Sequence, residues 1–318
     1  MNTKMFDINS SSIAAFVVLL IAFATASSQD VQGVVYLDQP KNIEAEQYLL
    51  SWPALQECVS KLQARDSLGA ETCLQTLITQ GRNKDGSLNL LAQIQRLRGN
   101  LDEAWDLIEE AIKLSPRQHL HYFQKALIAF KEREKSSFFL SRWKWHNRTK
   151  EAYEQALTLE PRMVPYRYYV IYSYINTPGI AGGDKEKALR IAQEGTNLGI
   201  RECYLMRADA YRVIDKLPEA FADYDTSITL RIFKMNLESF KGAGYTAIKQ
   251  KDWTRAKRYF DYLVECRPDH PDAYDCLGDY FLAVNDTVNA IKALETALEK
   301  NPKFEPSSEK LRKLKRKE

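Results

Sequence analysis

The chain has 318 residues, 45% of them hydrophobic and 27% charged, with a formal net charge of +3. That apolar content excludes an intrinsically disordered chain and is enough for one large domain or two ordinary ones. The last ten residues, EKLRKLKRKE, hold six Lys or Arg and two Glu, a net of +4; about −1 remains for everything before them, which argues against nucleic acid as a partner of the body.

In chain order, the first predicted element is a targeting segment. Lys4 supplies a weak basic start, Ile13 to Ala24 reads IAAFVVLLIAFA without a charge, and Ala24-Thr25-Ala26 offers the small residues of a cleavage site. Residues 1–26 are therefore expected to be a signal peptide, with the mature chain starting near Ser27. The apolar run, about a dozen residues, is shorter than the roughly 17 to 25 of a spanning helix. An exported, periplasmic protein is expected, membrane-anchored instead if the segment is not cleaved. Residues 27–45 read as an extended leader.

Export permits disulfides. The five cysteines, Cys58, Cys73, Cys203, Cys266 and Cys276, are odd in number and form no CxxC motif. They are either small buried hydrophobes or, as Cys58 with Cys73 and Cys266 with Cys276, bridges between neighbouring helices. Residues 46–84 hold two helical patterns, with Leu55, Val59 and Leu62 facing Leu74 and Leu77, and read as an atypical N-terminal helix pair or cap.

Residues 85–302 repeat. In Asp272 to Pro302, Tyr274, Leu277, Gly278 and Phe281 form one apolar stripe and Ala290, Leu294 and Ala297 a second, separated by an Asn285-Asp286 turn. The pattern predicts two antiparallel helices in which Gly278 and Ala290 permit close backbone approach, and Pro302 ends the second. Pro268 precedes Pro302 by 34 residues, and Phe240, Gly244, Ala247, Ala256, Phe260 and Leu263 occupy the matching places. Tyr204, Ala208, Tyr211, Ala220, Tyr224 and Ser227 repeat them one unit earlier, and Leu88, Leu91, Ala92, Gly99, Ala104, Ile108, Ala111 and Pro116 near the start.

These residues resemble the tetratricopeptide repeat family, and the chain looks like an exported, bacterial-type member. The resemblance implies an all-α, right-handed superhelical solenoid of antiparallel helix pairs that acts as an adaptor or scaffold. Two repeats are longer than the family's 34 residues. Pro116 to Pro161 spans 45, with an insertion near 136–146 and a second helix expected over Thr149 to Leu159. Pro161 to Ile200 spans 39, the surplus lying near 178–183 in YINTPGIAGGDKEKAL. Its glycines suggest a phosphate loop, but they follow a helix rather than a strand and lack a Lys-Ser/Thr or GxGxxG order. They are read as a lengthened turn, with Asp184 as N-cap of the next helix. The chain closes with a basic capping helix or tail over 303–318, where Leu311 and Leu314 provide an apolar edge and the basic face could meet an anionic lipid or acidic partner.

The expected ligand is a protein or peptide. Projecting the repeat register onto the exposed face of the first helices yields a candidate groove of Gln93, Arg96, Tyr168, Tyr172, Asp209, Arg212, Lys241, Tyr245, Asp275 and Asp279. Asp275 and Asp279, four apart, are expected to be a solvated pair. The first insertion supplies a candidate docking edge of Phe138, Phe139, Trp143 and Trp145, interleaved with Arg142, Lys144 and Arg148, for a protein or for peripheral contact with a membrane. No catalytic, cofactor-binding or metal-ligating set is expected, because the four histidines lack metal spacing and the paired carboxylates sit on solvated faces. A second reading, drawn from relatives of uptake systems, is a solute-binding component with Tyr168 and Tyr172 inside a closed cavity.

Overall fold

A computed structural model describes residues 51–316 except 65 and 233–236, so the expected signal peptide and leader lie outside the described residues. Every regular element described is helical. Contacts divide the chain into two compact units, one up to Leu198 and one from Gly199.

The first unit holds four helix pairs. A single turn at Pro53–Leu55 leads into α1 (Gln56–Gln63), followed by α2 (Ser67–Thr79), α3 (Lys84–Arg98), α4 (Leu101–Leu114), α5 (His119–Lys135), α6 (Phe139–Leu159), α7 (Val164–Asn176) and α8 (Lys185–Asn197). The second holds α9 (Cys203–Val213) with α10 (Leu217–Thr229), α11 (Leu237–Lys249) with α12 (Trp253–Cys266), α13 (Pro271–Ala283) with α14 (Thr287–Lys300), and a last helix α15 (Glu305–Lys315). Within each unit, partners in a pair pack together and each second helix touches the next pair.

Local signals explain these boundaries. Asp66, Asp184, Asp252 and Asp286 accept the backbone N–H three residues on and so cap α2, α8, α12 and α14. Asp184 thus performs the role its position suggested. The α3–α4 reversal passes through one left-handed residue, Gly99, and the three reversals within pairs of the second unit through Asp215, Lys251 and Asn285. Apolar stripes do the rest: Ala92, Ala104, Ile108 and Ala111 are fully enclosed between α3 and α4. A Cβ on Gly278 would stand 2.9 Å from the Leu294 side chain, which is the close approach expected there.

The linker prolines have a second use. Six residues after each of three of them, a first-helix side chain donates back to the proline carbonyl: Tyr122 to Pro116, Arg167 to Pro161 and Tyr274 to Pro268. The helix entrance is thereby tied to the bend that precedes it.

Cys58 and Cys73 form a disulfide between α1 and α2. Cys203, Cys266 and Cys276 are free thiols, so the second suggested bridge does not form. The N-terminal pair shares one core with α3, built from Leu55, Val59, Ala70 and Leu74 against Leu90, Leu91 and Ile94. Trp52 seats on Gly86, where a Cβ would come within 2.6 Å of its ring, and its indole N–H donates to Asp85 at 3.3 Å.

The first insertion does not form a separate loop. The second helix of that repeat begins at Phe139 rather than Thr149 and runs unbroken to Leu159. No Gly or Pro interrupts residues 137–160, so nothing stops the helix from extending backwards.

Candidate protein-docking surfaces

The first-helix face differs from the expected open groove. In the second unit its polar side chains bind one another from repeat to repeat. Asp209 on α9 is 1% exposed; it accepts from Tyr224 Oη at 2.5 Å and from the Ser239 hydroxyl of the next repeat. Arg212 reaches Tyr224 Oη at 3.0 Å and Asp209 at 3.5 Å, and its guanidinium lies over Gly242. Burial and the neighbouring Asp209 charge hold the Tyr224 phenol well above its ordinary pKa, so it serves as a fixed donor.

The rungs continue. Lys241 on α11 pairs with Asp272 at 3.0 Å, and Tyr245 Oη donates to Asp279 on α13 at 2.7 Å. Asp275 accepts from Ser307 at 2.7 Å and Lys310 at 2.8 Å, and Lys310 also pairs with Asp279. The expected solvated pair Asp275 and Asp279 is therefore the seat of α15, with Asp275 only 5% exposed. Asp209, Lys241, Tyr245, Asp275 and Asp279 are structural contacts rather than a waiting surface. A buried carboxylate needs several donors to offset its lost hydration, and the next repeat is the nearest source.

In the first unit the groove candidates are half-buried. Gln93 and Arg96 lie on α3, where the Gln124 amide oxygen, suitably oriented, accepts from Arg96 Nε at 3.1 Å. Tyr168 and Tyr172 pack on each other along α7 with ring centroids 4.4 Å apart. The rung of this unit is His121, fully buried, which shares a 2.7 Å hydrogen bond with Asn89 and lies 3.5 Å from Asp85. The His121 partnership and the Gly86 N–H hold the Asp85 carboxyl far below the usual carboxylate range.

The docking-edge residues separate into two groups. Trp145 turns inward and meets Trp105 of α4 edge-on at 5.3 Å. The Arg148 guanidinium lies over both rings, 4.7 Å from Trp145 and 5.2 Å from Trp105, and makes no ion pair among the described residues. Lys125 stands over Trp105 as well, at 5.1 Å, and pairs with Glu109 at 2.7 Å. Beside this stack an open groove of about 500 Å³ is walled by Trp105, Glu109, Tyr122, Lys125, Arg148, Glu151 and Gln155. Trp105 and Arg148 both line this groove, yet Trp105 belongs to a repeat of ordinary length and lies outside the residues the sequence singles out. Its signal was a large aromatic at an outward position of a second helix.

Phe138 and Trp143 turn outward, 66% and 38% exposed, while Phe139 is half-buried. Trp143 meets the second insertion, its indole N–H donating to the Ala181 carbonyl at 3.3 Å. Lys150, buried, donates to the Gly182 carbonyl at 3.0 Å, and His146 Nε2 lies 3.0 Å from the Thr177 hydroxyl. The two insertions of the chain are thus one joined feature. Burial, aided by Arg133 and Lys150, pushes the His146 imidazole down to about 4, so it is neutral in this seam. Gly183 has no room for a side chain, since a Cβ would stand 1.7 Å from the Thr177 carbonyl oxygen. With Asp184 occupying the N-terminus of α8, the glycines serve a turn.

Among the described residues no group of His, Cys, Asp or Glu could hold a metal ion, and no helix is long and apolar enough to cross a membrane.

Comparison with known proteins bears on the fold. Residues 242–305 match the tetratricopeptide repeat family model. No protein of curated function matches the sequence significantly. Among solved structures, PilW, described as a type IV pilus biogenesis factor, is 14% identical; the match covers 72% of this chain and 99% of that one with a TM-score of 0.53. A tetratricopeptide repeat protein from Parabacteroides merdae is 15% identical, covers 84% and 97%, and has a TM-score of 0.51. The C-terminal part of a repeat protein from Cytophaga hutchinsonii is 13% identical, covers 80% and 98%, and has a TM-score of 0.54. Residues 242–305 thus carry the tetratricopeptide repeat, and helix pairs running through both units give the chain the fold of tetratricopeptide-repeat proteins.

Proposed function

We propose that this protein is an exported, non-catalytic scaffold of the cell envelope that binds a protein or peptide segment along the aromatic groove of its first unit. The observation that carries this reading is Arg148, whose guanidinium rests on Trp105 and Trp145 with no carboxylate partner among the described residues, at the wall of an open groove. Stacked on indoles, a guanidinium keeps its outward N–H groups aligned for a carbonyl or carboxylate of a bound segment. Glu151, Gln155 and Tyr122 add acceptors and donors of the other sign. Such a mixed lining, with aromatic area at its centre, suits peptide recognition better than a dry pocket for chemistry.

Export is supported by the signal-like segment over 1–26 and by the Cys58–Cys73 bridge, a bond that persists in oxidising compartments. The solute-binding reading draws no support from Tyr168 and Tyr172, which pack on each other at a tilt and do not line this groove. The fold alone does not select a partner.

The test is a photo-crosslinking residue at Gln155 in the full chain, in cells of the native host. A crosslinked protein or peptide that disappears with Arg148→Glu is the expected outcome. Crosslinks that persist unchanged in Arg148→Glu and Trp105→Ala variants would rule the groove out.

A further inference from the structure

The joined insertions form a second surface, distinct from the groove, with its own chemistry. Ile180 is 83% exposed, Phe138 66%, Leu140 54% and Trp143 38%, an unusual concentration of large apolar side chains for one salient of a soluble fold. Ile180 stands on a tight turn that neighbours the Trp143 indole through the Ala181 carbonyl. Residues 136–148 carry Arg142, Lys144 and Arg148 and no Asp or Glu, while residues 177–183 carry no charge at all. Arg142 and Lys144 make no ion pair among the described residues. Asp184, the acid that directly follows the turn, is engaged by α8 as its cap.

The geometry points to one occupant for this edge, the surface of an anionic lipid bilayer. The four apolar side chains stand out into solvent beside Arg142 and Lys144, and the headgroup region of an anionic bilayer takes in apolar groups and pairs with such charges together. Trp and Phe beside Arg and Lys is the composition that sits at a membrane interface. The tip is also prepared to leave water. The Pro178 carbonyl accepts from Ala181 N–H at 2.8 Å and Gly183 N–H at 3.1 Å, and the carbonyls of Ala181 and Gly182 accept from Trp143 and Lys150. Backbone groups already satisfied within the protein carry little penalty on entering an apolar layer. The two insertions, which interrupt an otherwise regular repeat, would together be the means by which the first unit rests on a membrane.

The test uses the full chain with an environment-sensitive dye at Ile180→Cys and, as reference, at Lys113→Cys on α4, added to vesicles of phosphatidylcholine alone or with about one third phosphatidylglycerol. A nitroxide in the upper acyl region reports entry locally, so any tethering by the N-terminal apolar run does not decide the result. The dye at 180 should shift to the blue and be quenched on the anionic vesicles, and the dye at 113 should not. Phe138→Ser with Leu140→Ser should lower that quenching at least five-fold. Arg142→Gln with Lys144→Gln should weaken the anionic response on the order of twenty-fold, taking about five-fold for each charge, and leave neutral vesicles unaffected. All four substituted side chains are surface groups, so an unchanged thermal midpoint and helical circular dichroism serve as the folding control. A dye at 180 that stays unquenched on vesicles carrying the protein, or a chain that binds no vesicles, overturns the proposal. Protection of the dye by a soluble acidic, aromatic peptide but not by vesicles does the same and reassigns the edge to a protein partner.

Discussion

The two units use the same helix pair to opposite ends. In the second, repeats stay near 34 residues, and the first-helix carboxylates Asp209, Asp275 and Asp279 are consumed by donors from the helices of adjoining repeats and α15. In the first, the repeat from Pro116 to Pro161 stretches to 45 residues, and its added turns of helix put aromatic and basic groups outside. Regular stacking thus satisfies its polar side chains internally and leaves little unspent, whereas the insertion, though Trp145 packs on Trp105, leaves Phe138, Leu140 and Trp143 exposed. Binding surface in such a fold is to be sought where the period breaks.

The sharpest way to break this contrast is in the turn of the first unit. Gly183→Ala forces a Cβ against backbone and should destabilise that unit by about 4 kcal/mol or more, read as an early transition in calorimetry while the second unit melts as before. A second-unit counterpart is Asp209→Ala, which removes the buried acceptor of the Tyr224 and Ser239 hydroxyls. A loss of about 3 kcal/mol is expected there by chemical denaturation, and a near-neutral result would show the rungs to be ornamental. The smallest effect is a pH dependence of the insertion seam. His146 has its imidazole held at about 4, below the ordinary value near 6.5, so the unfolded chain takes up the proton first. Seam stability should be full above about 6.5 and be lost as pH falls through about 4, by about 1 kcal/mol once partial exposure of the ring is allowed for. Protection factors of the Gly182 and Gly183 amides, corrected for intrinsic exchange, should follow that curve, and His146→Gln should flatten it.

Much of this was legible beforehand, for reasons that can be named. The stripes of Ala, Leu and Tyr and the spaced prolines are local and periodic, and so the helix pairs, the Gly278 contact and the Asp184 cap could be read from them. Asp209 and Asp275 were misplaced because a register assigns a helix face, and whether that face meets water depends on what the next repeat carries. A hint was present: Ser239 and Ser307 follow these aspartates by 30 and 32 residues, a pairing visible only when two repeats are read together. The meeting of the two insertions left no such trace, since Trp143 and Ala181 are 38 residues apart and neither belongs to the periodic pattern.

The last rung has a consequence for the end of the second unit. Ser307 and Lys310 reach Asp275 as Ser239 reaches Asp209, so α15 occupies the place a further first helix would take. It buries Leu311 toward the stack and presents Arg312, Lys313 and Lys315 on a short helix that has no partner helix following it among the described residues. This imitation of a repeat meets the bonding demands of its neighbour, since Asp275 and Asp279 both find donors on it. A second molecule approaching the outer side of α15 meets the positive charges of Arg312, Lys313 and Lys315 in place of the two carboxylates.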